Sequence, residues 1–242
     1  MITENILPRK QLEFNAAMDR YQKNIGYKLF SIYISLVNTF TPFLLFFLYD
    51  FNGLSTLTVL AAIFIAYIAA DFINGIVHMM LDNNDSYTGL TGPFVASFHL
   101  HHRTPVYKKR NILLVYFFES GSKIWLTVYL VLLFALLITH PLPATIALLL
   151  ILFAVFSCLA EVSHYCCHTE SNMFTRMLSS VRILLPKSHH VQHHTNDNKR
   201  YAFLNGISDP LLDIIASFLF KGYKNNTDLH YAKYTGQETA NR

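Results

Sequence analysis

The chain is short of charge and short of cysteine. Asp, Glu, Lys and Arg make up 14% of its 242 residues, where soluble domains carry about 25%. Hydrophobic residues reach 52% and mean hydropathy is positive, which argues against an ordinary soluble domain and for a membrane protein. The three cysteines, Cys158, Cys166 and Cys167, give no disulfide framework and no C-x-x-C pair, and a reducing, cytosol-facing setting is compatible with them. There is no G-x-G-x-x-G, no cysteine set for an iron–sulfur cluster and no C-x-x-C-H for haem, so no electron carrier is built in. H-E-x-x-H is absent too, which disfavours a zincin. Residues 1–28 hold no apolar core followed by a small-residue cleavage site, so the first apolar run is expected to stay in the membrane.

What is present is long apolar runs. Leu29 to Leu48 carries no charge and is long enough to cross a bilayer as a helix. Asp50-Phe51-Asn52-Gly53 makes a turn, and Leu54 to Met80 forms a second span. A third runs from Lys123 to Thr139, and Pro141-Leu142-Pro143 separates it from a fourth, Ala144 to Ala160. This predicts an all-α membrane protein of about four transmembrane helices, with a polar leader over 1–28, a membrane-embedded domain over 29–221 and a polar tail over 222–242. All nineteen Lys and Arg residues fall in the leader, between His99 and Lys123, or after Thr169. An even number of spans puts those regions on one side, and the positive-inside rule makes it the cytoplasmic side. Phe174 to Leu185 and Leu211 to Phe220 are too short to span and read as interfacial helices.

Histidine is the other abundance. Nine of the twelve histidines lie in three windows, His99 to His102, His164 to His168 and His189 to His194, and His78 ends the second span. The predicted topology brings these to one membrane face, with only His140 opposite and His230 in the tail. In a helix, His190, His193 and His194 project from one face and can converge on a metal ion. The bland reading of that window is a solvated His-rich tract. Asp71, Gly75, His78 and Asp82 form one helical stripe, and Glu161, His164 and His168 another. Charged groups near a bilayer need a partner, so Asp71, Asp82 and Glu161 are candidates to ligate a metal or to orient a ligating imidazole. So many imidazoles exceed the needs of one zinc site. The soluble di-iron pattern needs two E-x-x-H pairs, and only Glu161-x-x-His164 is present. Two metal ions in a mostly histidine shell is the economical reading, and iron suits it because iron can activate dioxygen.

In these motifs the chain resembles the Kua or plasmanylethanolamine desaturase family, the lipid desaturases with histidine boxes. The likeness covers Ala70 to Asp213 and rests on Asp71-Phe-x-x-Gly75-x-x-His78 with Asp82, His101-His102-x-x-Pro105, Phe118-Glu119, His164-x-x-x-His168-Thr169, Leu185-Pro186-x-x-His189-His190-x-x-His193-His194, Tyr201 and Asp209-Pro210. The chain departs from the family pattern at Met79, where the family has Trp, and at Glu161, near which the family often has an amide. The resemblance implies two irons per chain held by His78, His101, His102, His164, His168, His190, His193 and His194, with His189 also matching the pattern. His99 and Glu119 are expected to support the ligands rather than bind. It further implies dioxygen-dependent removal of two hydrogens from a phospholipid chain near the headgroup. The foremost expectation is conversion of an sn-1 alkyl ether to the vinyl ether of a plasmalogen. Electrons would come from a separate donor such as cytochrome b5 or ferredoxin; the basic segment Lys108-Lys109-Arg110 is a candidate to dock an acidic donor, although contact with anionic lipid is its more ordinary use.

Three rivals remain at this stage. One is an acyl-chain desaturase acting on phosphatidylglycerol, and another is a His-box lipid hydroxylase using the same oxidant. The third, a metal-binding or metal-transporting membrane protein, would need polar residues through the bilayer, where the spans are nearly bare. Phe72, Ile76, Phe153 and Phe156 are candidates for the wall that holds the lipid chain, or for plain interhelix packing.

Overall fold

The computed structural model describes residues 3–103, 111–169, 171–196 and 198–220. Among these residues all regular structure is helical. A first helix, α1 (Thr3–Lys23), covers most of the polar leader. Its Phe14, Ala17 and Met18 are buried against Tyr87, Val95 and Ala96. The leader is therefore an amphipathic helix docked on the domain, a role its polar composition concealed.

Four helices have the length and composition to cross a membrane: α2 (Ile25–Leu48), α3 (Thr56–Asp82), the stretch Gly121–Thr139 that contains α6 (Ile124–Thr139), and α7 (Ala144–Cys167). Between α3 and α6 lie two short helices, α4 (Gly92–His99) and α5 (Ile112–Glu119). Three more follow the last span: α8 (Met173–Ser180), α9 (Lys187–Thr195) and α10 (Asp209–Leu219). The Asn24 side chain caps α2 and Ser55 caps α3, each accepting from a first-turn N–H. Only 22–39% of the most apolar stretch of each span is buried inside the protein, so their outward faces are apolar surface suited to lipid.

The central pair is α3 and α7. Asn74 Nδ2 donates to Ser157 Oγ at 3.0 Å, and the His78 and His164 rings lie 5.7 Å apart, so positions advance together along both chains. The two helices run parallel and deliver their C-terminal ends to one place. Gly75 permits a second approach: a Cβ there would meet Leu212 Cδ1 at 2.3 Å, so the missing side chain lets α10 close on α3. The sequence predicts interfacial helices at Phe174 to Leu185 and Leu211 to Phe220. The structure ends the first at Ser180, where a turn follows with Arg182 at positive φ, and starts the second at Asp209. Phe72 and Ile76 pack against the Met79, Tyr201 and Leu212 cluster, and Phe153 and Phe156 pack in the Ala66, Ala70 and Phe203 cluster, which is interhelix packing.

Candidate metal centre

Two helix ends, two short helices and one turn supply the site. The last turn of α3 carries His78 and Asp82, and the end of α7 carries His164 and His168. His99 ends α4, and a 3-10 turn at Leu100–Arg103 presents His101 and His102. Pro186 starts α9, whose next two turns present His190, His193 and His194; helical spacing puts all three on the inward face. His78, His101, His102, His164, His168, His190, His193, His194 and Asp82 are each at most 3% exposed. In an apolar bundle such a concentration of buried polar rings needs a shared partner.

The potential ligands fall into two groups. In the first, the Asp82 carboxylate is central. Its Oδ2 lies 3.1 Å from Nε2 of both His78 and His193, and its Oδ1 lies 2.7 Å from His102 Nε2. In the second, Nε2 atoms face one another: His164 to His168 at 3.2 Å, His168 to His190 at 2.9 Å, and His190 to His194 at 3.0 Å. An imidazole nitrogen carries either a hydrogen or a lone pair, so nitrogens converging in this way satisfy one another poorly. A cation would accept a lone pair from each. His101 belongs to both groups, its ligand atom lying within 4.8 Å of the others in each. His164 joins the second group by its contact with His168.

Backbone carbonyls set the tautomers. The Nδ1–H groups of His78, His101 and His193 donate to the carbonyls of Tyr201, Phe98 and Lys199. That leaves Nε2 of each with its lone pair directed into the site, which is the form a metal binds. His101 Nε2 is buried with no hydrogen-bond partner, which fits a nitrogen whose lone pair is directed at a metal. Burial, reinforced by neighbouring imidazoles, holds His101 and His190 well below the usual histidine range and keeps them neutral. The donor set therefore fits two divalent transition-metal ions.

The remaining candidate residues lie outside both groups. His189 points away from both groups. Its Nε2 donates to Asp209 Oδ2, and Arg200 donates to its Nδ1 at 2.9 Å. His99 has both nitrogens engaged: Nε2 donates to the Leu81 carbonyl and Nδ1 accepts from the Tyr87 hydroxyl, each at 2.8 Å. Burial lowers its pKa to about 4, so it braces the turn before His101 as a neutral ring. Asp71 is a loop anchor. Its carboxylate accepts from the N–H groups of Leu204, Asn205, Gly206 and Ser208 and from the Ser208 hydroxyl. Glu161 pairs with buried Lys123 at 3.2 Å. Glu119 ends α5 and belongs to neither group. His140 follows the end of α6, in the connection to α7. Lys108-Lys109-Arg110, Pro105 and His230 lie outside the described residues.

The reading of the sequence missed Phe203, whose ring stacks on His164 at 4.2 Å and 6° and lies 4.2 Å from His78. It also missed Lys123, which looked like the membrane-edge start of a span, and Arg200. Phe203 could have been suspected from its place between Tyr201 and Asp209; nothing in the sequence marks the other two. The model of the lipid desaturase domain matches residues 67–221, which span every member of both groups. No curated protein and no solved structure matches the chain.

Proposed function

The chain belongs to the lipid desaturase family, and from that premise we propose that it is a di-iron enzyme that forms a double bond in a phospholipid chain near the headgroup. The plasmalogen step, alkyl ether to vinyl ether, is the foremost reaction. The observation that carries this reading is the pair of buried imidazole groups joined through His101. One iron would be held by His78, Asp82, His102 and His193, and the other by His164, His168, His190 and His194, with His101 between them.

Iron, when bound, supplies the redox chemistry that activates dioxygen. Overall, –CH2–CH2– with O2, two electrons and two protons gives –CH=CH– and two waters. The methylene hydrogens have no useful acidity, so no side-chain base removes them. The protein's own residues hold and orient. The three carbonyls fix the imidazole tautomers, Phe203 packs over His164 and His78, and the buried setting keeps bulk water off the reacting carbons. The electrons come from a separate donor. The charge distribution supports placing the site and the leader on the cytoplasmic side.

The test is expression in cells that contain alkyl-ether phospholipid, followed by lipid mass spectrometry and metal analysis of the purified protein. A two-hydrogen loss giving an acid-labile vinyl ether, with two irons per chain, is expected. Gain of one oxygen instead would make the protein a hydroxylase, and desaturated acyl chains on phosphatidylglycerol would move the substrate. Zinc in place of iron with activity retained would sink the di-iron assignment.

A further inference from the structure

We propose that a cationic cleft beside the metal centre binds the phosphodiester of the membrane lipid that enters the site. The cleft, about 410 Å³, is lined by Thr175, Arg176, Ser179, Arg182, Lys187 and Ser188 among others, and none of its lining residues among the described residues is acidic. Among the described residues no carboxylate pairs with Arg176, Arg182 or Lys187. Arg182 gives one bond to the Asn205 carbonyl at 3.4 Å, and Lys187 gives one to the Thr169 carbonyl at 2.9 Å. Among the described residues, no partner takes their remaining donors or any donor of the Arg176 guanidinium. Guanidinium, ammonium and hydroxyl donors around one concavity are the chemistry that holds a phosphate.

The backbone at Arg182 is specially held. Its φ is +59°, in the left-handed region that a non-glycine residue adopts at a cost. The Tyr67 hydroxyl on α3 bonds the carbonyls of Arg182 and Ile183 at 2.7 and 3.0 Å, fixing the turn against the bundle. The left-handed turn, tied to a spanning helix, sets where the Arg182 side chain departs.

Position distinguishes a lipid from a soluble phosphate. No residue of α8 is buried, and Met173, Phe174 and Met177 stand exposed from it beside the cleft. An amphipathic helix of this kind, next to the end of a spanning helix, lies in the headgroup layer. The cleft also draws its lining from α7 and α9, the helices that carry five of the site's histidines. Lys187 precedes His190 by three residues on α9, a rise of about 4.5 Å at the usual helical pitch. Cys166 of α7 lines the cleft and stands between His164 and His168 in sequence. A phosphate held there would sit at the end of α7 and the start of α9, the two helices that carry His164, His168, His190, His193 and His194. The assignment rests on the lipid-desaturase reading for the identity of the lipid.

The full-length, iron-loaded protein in detergent is examined by native mass spectrometry with two probes: an alkyl-acyl phosphatidylethanolamine, and the alkyl-acyl glycerol that lacks the phosphate. Arg176→Gln and Arg182→Gln should each weaken retention of the phospholipid about tenfold and leave the phosphate-free lipid unaffected. Iron content and melting temperature should match the parent, and in turnover KM should rise with kcat kept. Arg176→Gln alone is informative if Arg182→Gln misfolds, because the Arg176 side chain bonds none of the described residues. Unchanged phospholipid retention in the double variant, or equal loss of both lipids, overturns the proposal. Binding of inorganic phosphate without retention of the phospholipid overturns the lipid assignment. If the arginines prove necessary for retention yet the parent protein yields no unsaturated product, the cleft stands and the desaturase reading fails.

Discussion

At the scale of single residues, His189 and His190 are adjacent, equally suited to ligation by type, and opposite in use. The helix rotates them about 100° apart, which sends His190 toward His168 and His194, and His189 toward Asp209. His190→Ala should remove bound iron and abolish turnover. His189→Ala should keep the metal and lower stability by about 2–3 kcal/mol, because buried Asp209 loses one of its two donors among the described residues and keeps only the Ala202 N–H. Metal analysis alongside thermal unfolding in detergent separates the two, and metal loss in His189→Ala would contradict this division. A pH prediction belongs to the same rings. His99 has a pKa of about 4 in the fold, against about 6.5 when unfolded. Its contribution to stability is present above pH 6.5 and is lost as pH falls through the window down to 4. Each such ring costs up to about 1.4 kcal/mol per pH unit there. His101 and His190, also lowered, act in the same direction. The metal-free protein should therefore melt at progressively lower temperature from pH 6.5 downward, and a flat profile would refute this.

At the scale of elements, the spanning helices were legible, whereas the docked leader helix α1 and the loops were not. Apolar length announced α2, α3, α6 and α7, and the i, i+4, i+7, i+11 spacing put Asp71, Gly75, His78 and Asp82 on one face of α3. Which of these carboxylates meets a histidine depends on what packs opposite, and that lies far along the chain. Asp82 meets His102 and His193, whereas Asp71 meets residues 204–208. That loop is almost wholly buried, so its N–H groups need an internal acceptor, and Asp71 provides it. The same loop carries Phe203 against the imidazoles and leads into Asp209, the partner of His189. Gly206 in it has φ +81° and leaves room for no side chain, since a Cβ would lie 2.8 Å from His189 Nε2. Asp71→Ala should destabilise the protein by about 3–5 kcal/mol by stranding several buried donors at once. Hydrogen exchange should show residues 203–208 losing protection first. Uniform protection in the variant would mean that the loop is held by other contacts.

At the scale of the whole molecule, the membrane sets what the bundle must solve. The spans were recognisable because lipid-facing surface needs no pattern beyond apolarity, and for the same reason their inner faces were hard to read. The polar groups hidden between them form a connected set. Lys123 Nζ meets Glu161 Oε2, the Asn74 amide oxygen and the Ser157 carbonyl, while Asn38 accepts from Thr127 and donates to the Lys123 carbonyl. This set joins α2, α3, α6 and α7 one helical turn from His78 and His164. Lys123 and Glu161 are each about 6% exposed, so neither can turn to water if its partner is removed. Lys123→Met alone strands a buried carboxylate and should cost about 3–5 kcal/mol. Glu161→Gln alone strands a buried ammonium and should cost about as much. In the double variant no unpaired charge remains, and replacing a buried ion pair with neutral groups is often near neutral in stability. The double variant should therefore recover most of the loss. Iron content should follow the same order, low in both single variants and restored in the double, if the pair acts by aligning α3 with α7. A double variant as unstable as the sum of the singles would show that the charges work independently. One that is stable but metal-free would assign Lys123 or Glu161 a direct part in the metal centre.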